Sequence, residues 1–200
     1  MDRHEMIQAS RKLIIVGDPM CGKRTLLFSF VTNQFVTDDY TQHILDTPVI
    51  PIQVNRRTIH MALFDITAAE DHDRLRSLFY PRTNIVLICF SIDNPTSVMN
   101  VMEKWTPEIR LHCHQCPIIL VACKTDLRKD SKRLAELEKQ GETLVTSEMG
   151  RRLAVKIKAD AYMECSAKTR EGVQDLFIRA ARLSVKKHSH HTVKCQCILQ

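Results

Sequence analysis

The stretch KLIIVGDPMCGKRT, residues 12–25, concentrates the residue types that bind a phosphate. Gly17 and Gly22 frame a G-x-x-x-x-G pattern with Lys23 directly behind it. At that spacing successive backbone N–H groups curl around an anion, while a lysine and a helix N-terminus add positive charge. The fuller form of the motif places Ser or Thr after the lysine, where the hydroxyl holds Mg²⁺. Here Arg24 stands at that position and Thr25 comes one residue too late. A bland Gly-rich turn can carry the same letters. The apolar run Leu13 to Val16 before it and LLFSF after it, however, put a strand and a helix where a phosphate loop needs them. The nucleotide contacts expected on this stretch are Gly17, Asp18, Cys21, Gly22, Lys23, Arg24 and Thr25.

A second chemistry lies at the far end. Cys197-Ile198-Leu199-Gln200 has the form Cys-aliphatic-aliphatic-X, in which a final Gln favours farnesylation of Cys197. Cys195 offers a position for palmitate, and Arg182, Lys186, Lys187 and Lys194 give the tail an attraction for anionic lipid. One prenyl chain binds weakly and reversibly, so a stable anchor needs such a second signal. His112, Cys113, His114 and Cys116 are residue types that bind zinc. Four ligands in one short stretch would be crowded, and an exposed turn is the favoured reading there.

These groups need a scaffold. A chain of 200 residues, 44% hydrophobic, can bury one good core and is expected to form one α/β domain. The net charge of +6 is concentrated in the tail and points to a membrane surface rather than to nucleic acid. The N-terminus, MDRHEMIQASRK, lacks the apolar centre of a secretory signal, so the eight cysteines are read as reduced thiols of a cytosolic chain. The longest apolar run, Ile85 to Phe90, is too short to cross a bilayer.

Strands are expected at Leu13 to Val16, Val49 to Val54, Thr58 to Phe64, Ile85 to Phe90, Pro117 to Ala122 and Tyr162 to Cys165. The second and third would form a hairpin around Asn55-Arg56-Arg57, with Pro51 restricting the second to an edge. Helices are expected after the phosphate loop to about Asn33, from Val98 to Ile109, from Ser147 to Ile157 and from Gly172 to Val185, with a small charged surface helix within 130–141. Residues 36–48 and 66–83 read as exposed polar loops, the latter with a short helix. Alternating strands and helices argue for a mostly parallel sheet covered on both faces, with ligand at the carboxyl ends of the strands.

The phosphate loop, Asp65, Cys123-Lys124-Thr125-Asp126 and Ser166-Ala167-Lys168 together resemble the Ras-like small GTP-binding proteins. FDITAAEDHDRLRSLFYPRTNIVLICFSIDNPTSV, EKWTPEI, PIILVACKTDLR and YMECSAKTREGV narrow the resemblance to the Rho family. The charged helix near 130–141 falls where Rho proteins carry an insert, and the resemblance covers residues 11–200. It implies a P-loop G domain over 11–185, a mostly parallel six-stranded sheet flanked by helices, an N-terminal extension over 1–10 and a basic, prenylated tail over 186–200. It also implies GTP and GDP as ligands with Mg²⁺, effector and regulator proteins bound through two switch loops, and residence on the cytoplasmic face of membranes with a cytosolic pool. Asp126 would accept hydrogen bonds from guanine beside Cys123 and Lys124, with Ser166, Ala167 and Lys168 as the second base contact and Phe35 packed over the ring. Lys23 would sit on the outer phosphates, and Asp65 would hold the metal through water. Asp71, Arg74, Leu75 and Leu78 match second-switch partner contacts.

Departures from the family pattern carry physical consequences. Arg24 removes the metal-binding hydroxyl and sets a cation in its place. Pro19 removes one backbone donor from the cradle. In the first switch the family's threonine falls on His43, with Thr41 as a metal ligand if the loop shifts. The second switch reads Asp65-Ile66-Thr67-Ala68-Ala69-Glu70, so Ala68 narrows the backbone freedom of a glycine and Ala69 cannot orient the attacking water as the family's glutamine does. Cys123 stands for an asparagine, a change shared with the Rnd branch, which also lacks that glutamine and stays GTP-bound. Three readings follow. The chain is a hydrolysis-impaired, constitutively loaded switch; or a nucleotide-free scaffold on a GTPase fold; or an active hydrolase in which His43, His72 or Arg24 positions water. Arg24 could also replace part of the metal's charge on the phosphates, which would rescue binding without rescuing chemistry.

Overall fold

The computed structural model describes residues 10–35, 47–66 and 76–185. Six strands form one sheet: β1 (Arg11–Gly17), β2 (Val49–Val54), β3 (Arg57–Asp65), β4 (Ile85–Ser91), β5 (Ile118–Cys123) and β6 (Ala161–Glu164). Their order is β2-β3-β1-β4-β5-β6. Every neighbouring pair is parallel except β2 with β3. Continuous apolar runs explain the inner strands. Leu13 and Ile15 of β1 face one core while Ile14 and Val16 face the other, so both sides of the sheet are dry.

Helix α1 (Lys23–Thr32) and helix α6 (Val173–Ser184) cover the first face, with Phe30 stacked on Phe177 at 3.8 Å between ring centres. On α6 the expected face is buried: Val173, Phe177, Ala180 and Ser184, together with Leu176 and Leu183. The second face is covered by α2 (Pro95–Asn100), α3 (Thr106–His112) and α5 (Ser147–Lys156). Helix α4 (Ser131–Lys139), the charged insert, is capped by Asp130, whose carboxylate accepts from the N–H groups of Lys132 and Arg133 at 3.1 Å each. Of its two leucines, Leu137 is buried and Leu134 exposed.

The hairpin turns at Asn55 and Arg56, both left-handed with φ of 46° and 65°, the geometry that matches the twist of tightly paired strands. Pro51 lies on the edge strand β2, opposite His60.

Two expectations need correction. The helix expected from Val98 to Ile109 starts earlier, at Pro95, because Asn94 caps it by accepting from the Ser97 N–H at 3.2 Å and Pro95 fits the first turn. It then widens into a π-helical turn at Val101–Trp105 before continuing as α3 to His112. The stretch 112–116 is not an exposed turn throughout. Cys113 is buried with its thiol toward the Tyr80 carbonyl, half-buried Cys116 donates to the Thr83 carbonyl at 2.9 Å, and His112 stacks on Tyr80. Its thiols tie β4's approach to the end of α3 instead of converging with the histidines.

Candidate nucleotide site

The carboxyl ends of β1, β3, β5 and β6 bring the expected residues together, and each arrives by a local rule. Strand β1 ends at Gly17, whose φ is 143°; a Cβ there would stand 2.2 Å from the Cys89 carbonyl oxygen of β4, so only glycine lets the two strands close up before the loop. Gly22, at φ 102°, turns the loop into α1 and offers no capping side chain. The first N–H groups of α1 are thereby left to an anion. Lys23 is 5% exposed, and its ammonium donates to the Asp18 carbonyl at 2.7 Å with the Cys21 thiol 3.9 Å away, so the amine spans the loop from inside. The Asp18 side chain points elsewhere: its carboxylate accepts from Trp105 Nε1 and Asn100 Nδ2, each at 2.7 Å. Pro19 and Met20 form the exposed crest of the loop.

Asp65 ends β3 beside Ile15 of β1. Its Oδ2 accepts from Arg24 Nε at 3.2 Å, while its buried Oδ1 has no hydrogen-bond partner among the described residues. The carboxylate side chain is 8% exposed and the arginine 37%. The pairing joins two residues 41 apart in sequence across the mouth of the loop.

Beside the loop lies a cavity of about 260 Å³. Gly22, Thr25 and Leu26 form its loop side, Phe35 stands at its rim, Cys123, Lys124, Asp126 and Leu127 line it from the end of β5, and Cys165, Ala167 and Lys168 from the end of β6. Asp126 is held by a hydrogen bond of 2.6 Å from the fully buried Ser166 hydroxyl, which also accepts from the Thr169 N–H at 3.1 Å. Ser166 is therefore a positioning residue: it aims Asp126 and closes the Ala167-Lys168 turn. The Ala167 carbonyl accepts from Ser29 on α1 at 3.1 Å, and Arg170 donates to Asn33 at the end of the same helix.

Lys124 adopts a left-handed conformation, φ 62°, and its ammonium lies 3.8 Å from Asp93, which Arg133 of α4 binds at 3.0 Å. The insert helix is thus tied to the loop that follows β5. Burial works to raise the Asp93 carboxyl and is outweighed by the Ser91 hydrogen bond and the charges of Lys124 and Arg133, which hold it below its ordinary value. Beneath the cavity four thiols, Cys21, Cys89, Cys123 and Cys165, belong to one buried cluster. Hydrogen bonds from Cys165 and Cys89 hold the Cys123 thiol well below its ordinary value against burial, while burial raises Cys21 to about 12.

The Ras family model matches residues 12–186. The chain is 46% identical over 178 residues to GTP-binding protein rho1 of Schizosaccharomyces pombe, covering 89% of this chain and 88% of that protein. It is 44% identical over 199 residues to GTP-binding protein RHO1 of Saccharomyces cerevisiae, covering 94% and 95%, and 45% identical over 194 residues to GTP-binding protein rho5 of S. pombe, covering 94% and 96%. The chain is a Rho-family small GTPase by descent.

Members of this family generally bind GTP or GDP with Mg²⁺, and the donor set of this Rho-family chain can be tested against that metal. A hard cation seeks oxygen ligands. Position 24 supplies a guanidinium, which has donors only and carries the same sign of charge. Thr25 does not compensate, since it lines the cavity beside the loop. Asp65 Oδ1 remains as an acceptor, but Oδ2 is taken by Arg24. Among the described residues no group of three or more His, Cys, Asp or Glu gathers to hold a metal ion. The described residues do not fit the family's magnesium site.

Thr41, His43, Ala68, Ala69, Asp71, His72, Arg74, Leu75, Cys195 and Cys197 lie outside the described residues. Leu78 is 70% exposed in a short 3₁₀ turn, Ser77–Phe79. Just before it, Arg76 is buried against the Trp105 ring and forks onto Glu108 at 2.8 and 2.9 Å. No helix among the described residues is long and apolar enough to cross a membrane. Trp105, Asn100, Asp93, Arg170 and the Arg24–Asp65 pair escaped sequence reasoning. Only Asn94-Pro95, a helix-start signature, pointed toward the misplaced helix.

Proposed function

We propose that this Rho-family protein binds guanine nucleotide at the cavity beside its phosphate loop, hydrolyses GTP weakly or not at all, and signals from membranes through its abundance and attachment. The observation that carries the reading is the pairing of Arg24 with Asp65 beside a phosphate loop that keeps Gly17, Gly22 and Lys23 and beside a built cavity. Binding elements are present, while the metal ligand is replaced and Ala69 stands where the family's water-positioning glutamine belongs. The proposed nucleotide contacts are the loop residues from Gly17 to Thr25, with Phe35, Lys124, Asp126, Ala167 and Lys168 around the base. Cys197 takes the prenyl group, and Cys195 with the basic tail supplies the second membrane signal. Effectors and regulators bind through the switch loops.

A second reading, a nucleotide-free scaffold, draws on the fact that the protein itself engages the cationic groups of the loop. Lys23 is bonded to the Asp18 carbonyl and Arg24 to Asp65. Purification followed by denaturation and chromatography of the released small molecules separates the two. Stoichiometric GTP is the expected result. GDP shows that hydrolysis survives Ala69, and the absence of any nucleotide, with no thermal stabilisation by added GTP, establishes the scaffold.

A further inference from the structure

We propose that the Arg24 guanidinium, clamped by Asp65, takes the electrostatic place of a divalent cation at the phosphate loop, so that this chain holds guanosine di- and triphosphates without a metal. The inference rests on the nucleotide-binding reading above and adds to it the identity of the counter-charge.

Arg24 lies in the first turn of α1, directly after the buried Lys23. In that turn the N–H groups, Lys23 and any bound polyphosphate converge. Asp65, standing opposite, is buried and anionic, and left alone it would repel a phosphate brought to the loop. The Nε contact at 3.2 Å neutralises it and fixes the direction of the arginine stem. A guanidinium is planar, permanently charged and shaped to meet phosphate oxygens in pairs, so the residue type suits a phosphate counter-ion better than lysine would. The remaining acidic side chain of the loop, Asp18, is held by Trp105 and Asn100 and so is turned from the anion. The same arrangement opposes a metal: a cation at this mouth would lack the hydroxyl, would share Asp65 with a rival positive charge, and would find Thr25 committed to the base cavity. One permanent charge therefore replaces an exchangeable one.

The consequence is a nucleotide affinity indifferent to chelation. The test uses the full chain, stripped of nucleotide, titrated with ribose-labelled fluorescent GTP and GDP in excess Mg²⁺ and in excess EDTA. For the wild type the two dissociation constants agree within about threefold. Arg24→Thr restores the hydroxyl beside the unpartnered Asp65 Oδ1, and its affinity falls about a hundredfold on chelation. Arg24→Lys, which keeps a cation against Asp65 and guards against misfolding of the threonine variant, stays insensitive to EDTA while binding more weakly than wild type. Circular dichroism melts of all three proteins report folding independently.

A wild-type affinity that falls tenfold or more in EDTA overturns the inference and leaves the nucleotide-binding reading standing. An Arg24→Thr protein that is folded and as indifferent to EDTA as wild type also overturns it. Absence of binding in both buffers overturns the nucleotide-binding reading itself.

Discussion

The two halves of the proposed nucleotide site are built differently. On the base side, Asp126, Ser166 and Thr169 are joined by short hydrogen bonds, and Arg128 braces the same turn against Glu164. This side keeps the family's motif save for Cys123, whose thiol extends the buried cluster under the cavity. On the phosphate side the scaffold of Gly17, Gly22 and Lys23 is kept, yet the residue that would hold a metal is an arginine bonded to the carboxylate meant to share that metal. The contrast teaches that choosing a nucleotide and processing its γ-phosphate are physically separable. Base recognition depends on a rigid carboxylate. Hydrolysis depends on a metal and an oriented water, and in the function proposed above Arg24 and Ala69 stand where the residues supplying them would be.

The comparison breaks most visibly at Asp126. Asp126→Ala removes the acceptor for the base and strands the buried Ser166 hydroxyl, so affinity for labelled GDP is expected to fall about a thousandfold, or ~4 kcal/mol. Isothermal titration or fluorescence competition measures it. A loss under about tenfold would mean that Asp126 does not read the base and that the base side is no better preserved than the phosphate side.

A smaller effect is expected behind the phosphate loop. Trp105→Phe keeps the ring in its buried place but removes the N–H donated to Asp18, leaving Asn100 as the carboxylate's donor. Loss of a buried hydrogen bond to a charged group costs about 1.5–3 kcal/mol. For a domain of this size that lowers the midpoint of thermal unfolding by roughly 3–10 °C. An unchanged midpoint would show that the π-helical turn does not anchor the loop.

Much of this scaffold was legible in the chain. Parallel strands buried on both faces must be apolar throughout, and all six expected strands fall within two residues of the observed ones, the inner ones because Leu13 to Val16, Ile85 to Phe90 and their like admit no other dry packing. The site's spacing was legible as well, since the phosphate loop and the base motifs are local strings. What stayed hidden is what depends on contact across the fold. Arg24 and Asp65 are 41 residues apart, and only the parallel register of β1 with β3 brings them together. Trp105 reaches Asp18 over 87 residues through a π-helical turn that no 3.6-residue periodicity announces. Cys113 and Cys116 looked like surface residues because the neighbouring histidines are polar, while their thiols in fact turn inward to carbonyls of the β4 approach.

The smallest effect expected is a pH dependence confined to the base side. Arg128 forks onto both oxygens of Glu164 at 2.8 Å, and that hydrogen bonding, against a lesser opposing effect of burial, lowers the Glu164 carboxyl from 4.5 to about 2. The folded form therefore prefers the carboxylate more strongly than the unfolded chain does. The stability this pair contributes is fully present above about pH 4.5 and is lost as pH falls toward about 2. Both side chains are partly open to water, 30% and 27% exposed, so solvent screening limits the contribution to about 1 kcal/mol or less. Denaturant unfolding at about pH 6 and about pH 3 is expected to show a steeper loss for wild type than for Glu164→Gln, which cannot ionise. Equal slopes in the two proteins would remove Glu164 from the brace of the turn that carries Asp126. In that case the turn would be held by the Ser166 hydroxyl, by its own backbone hydrogen bonds such as Thr125 N–H to the Cys165 carbonyl, and by the Lys124–Asp93–Arg133 link.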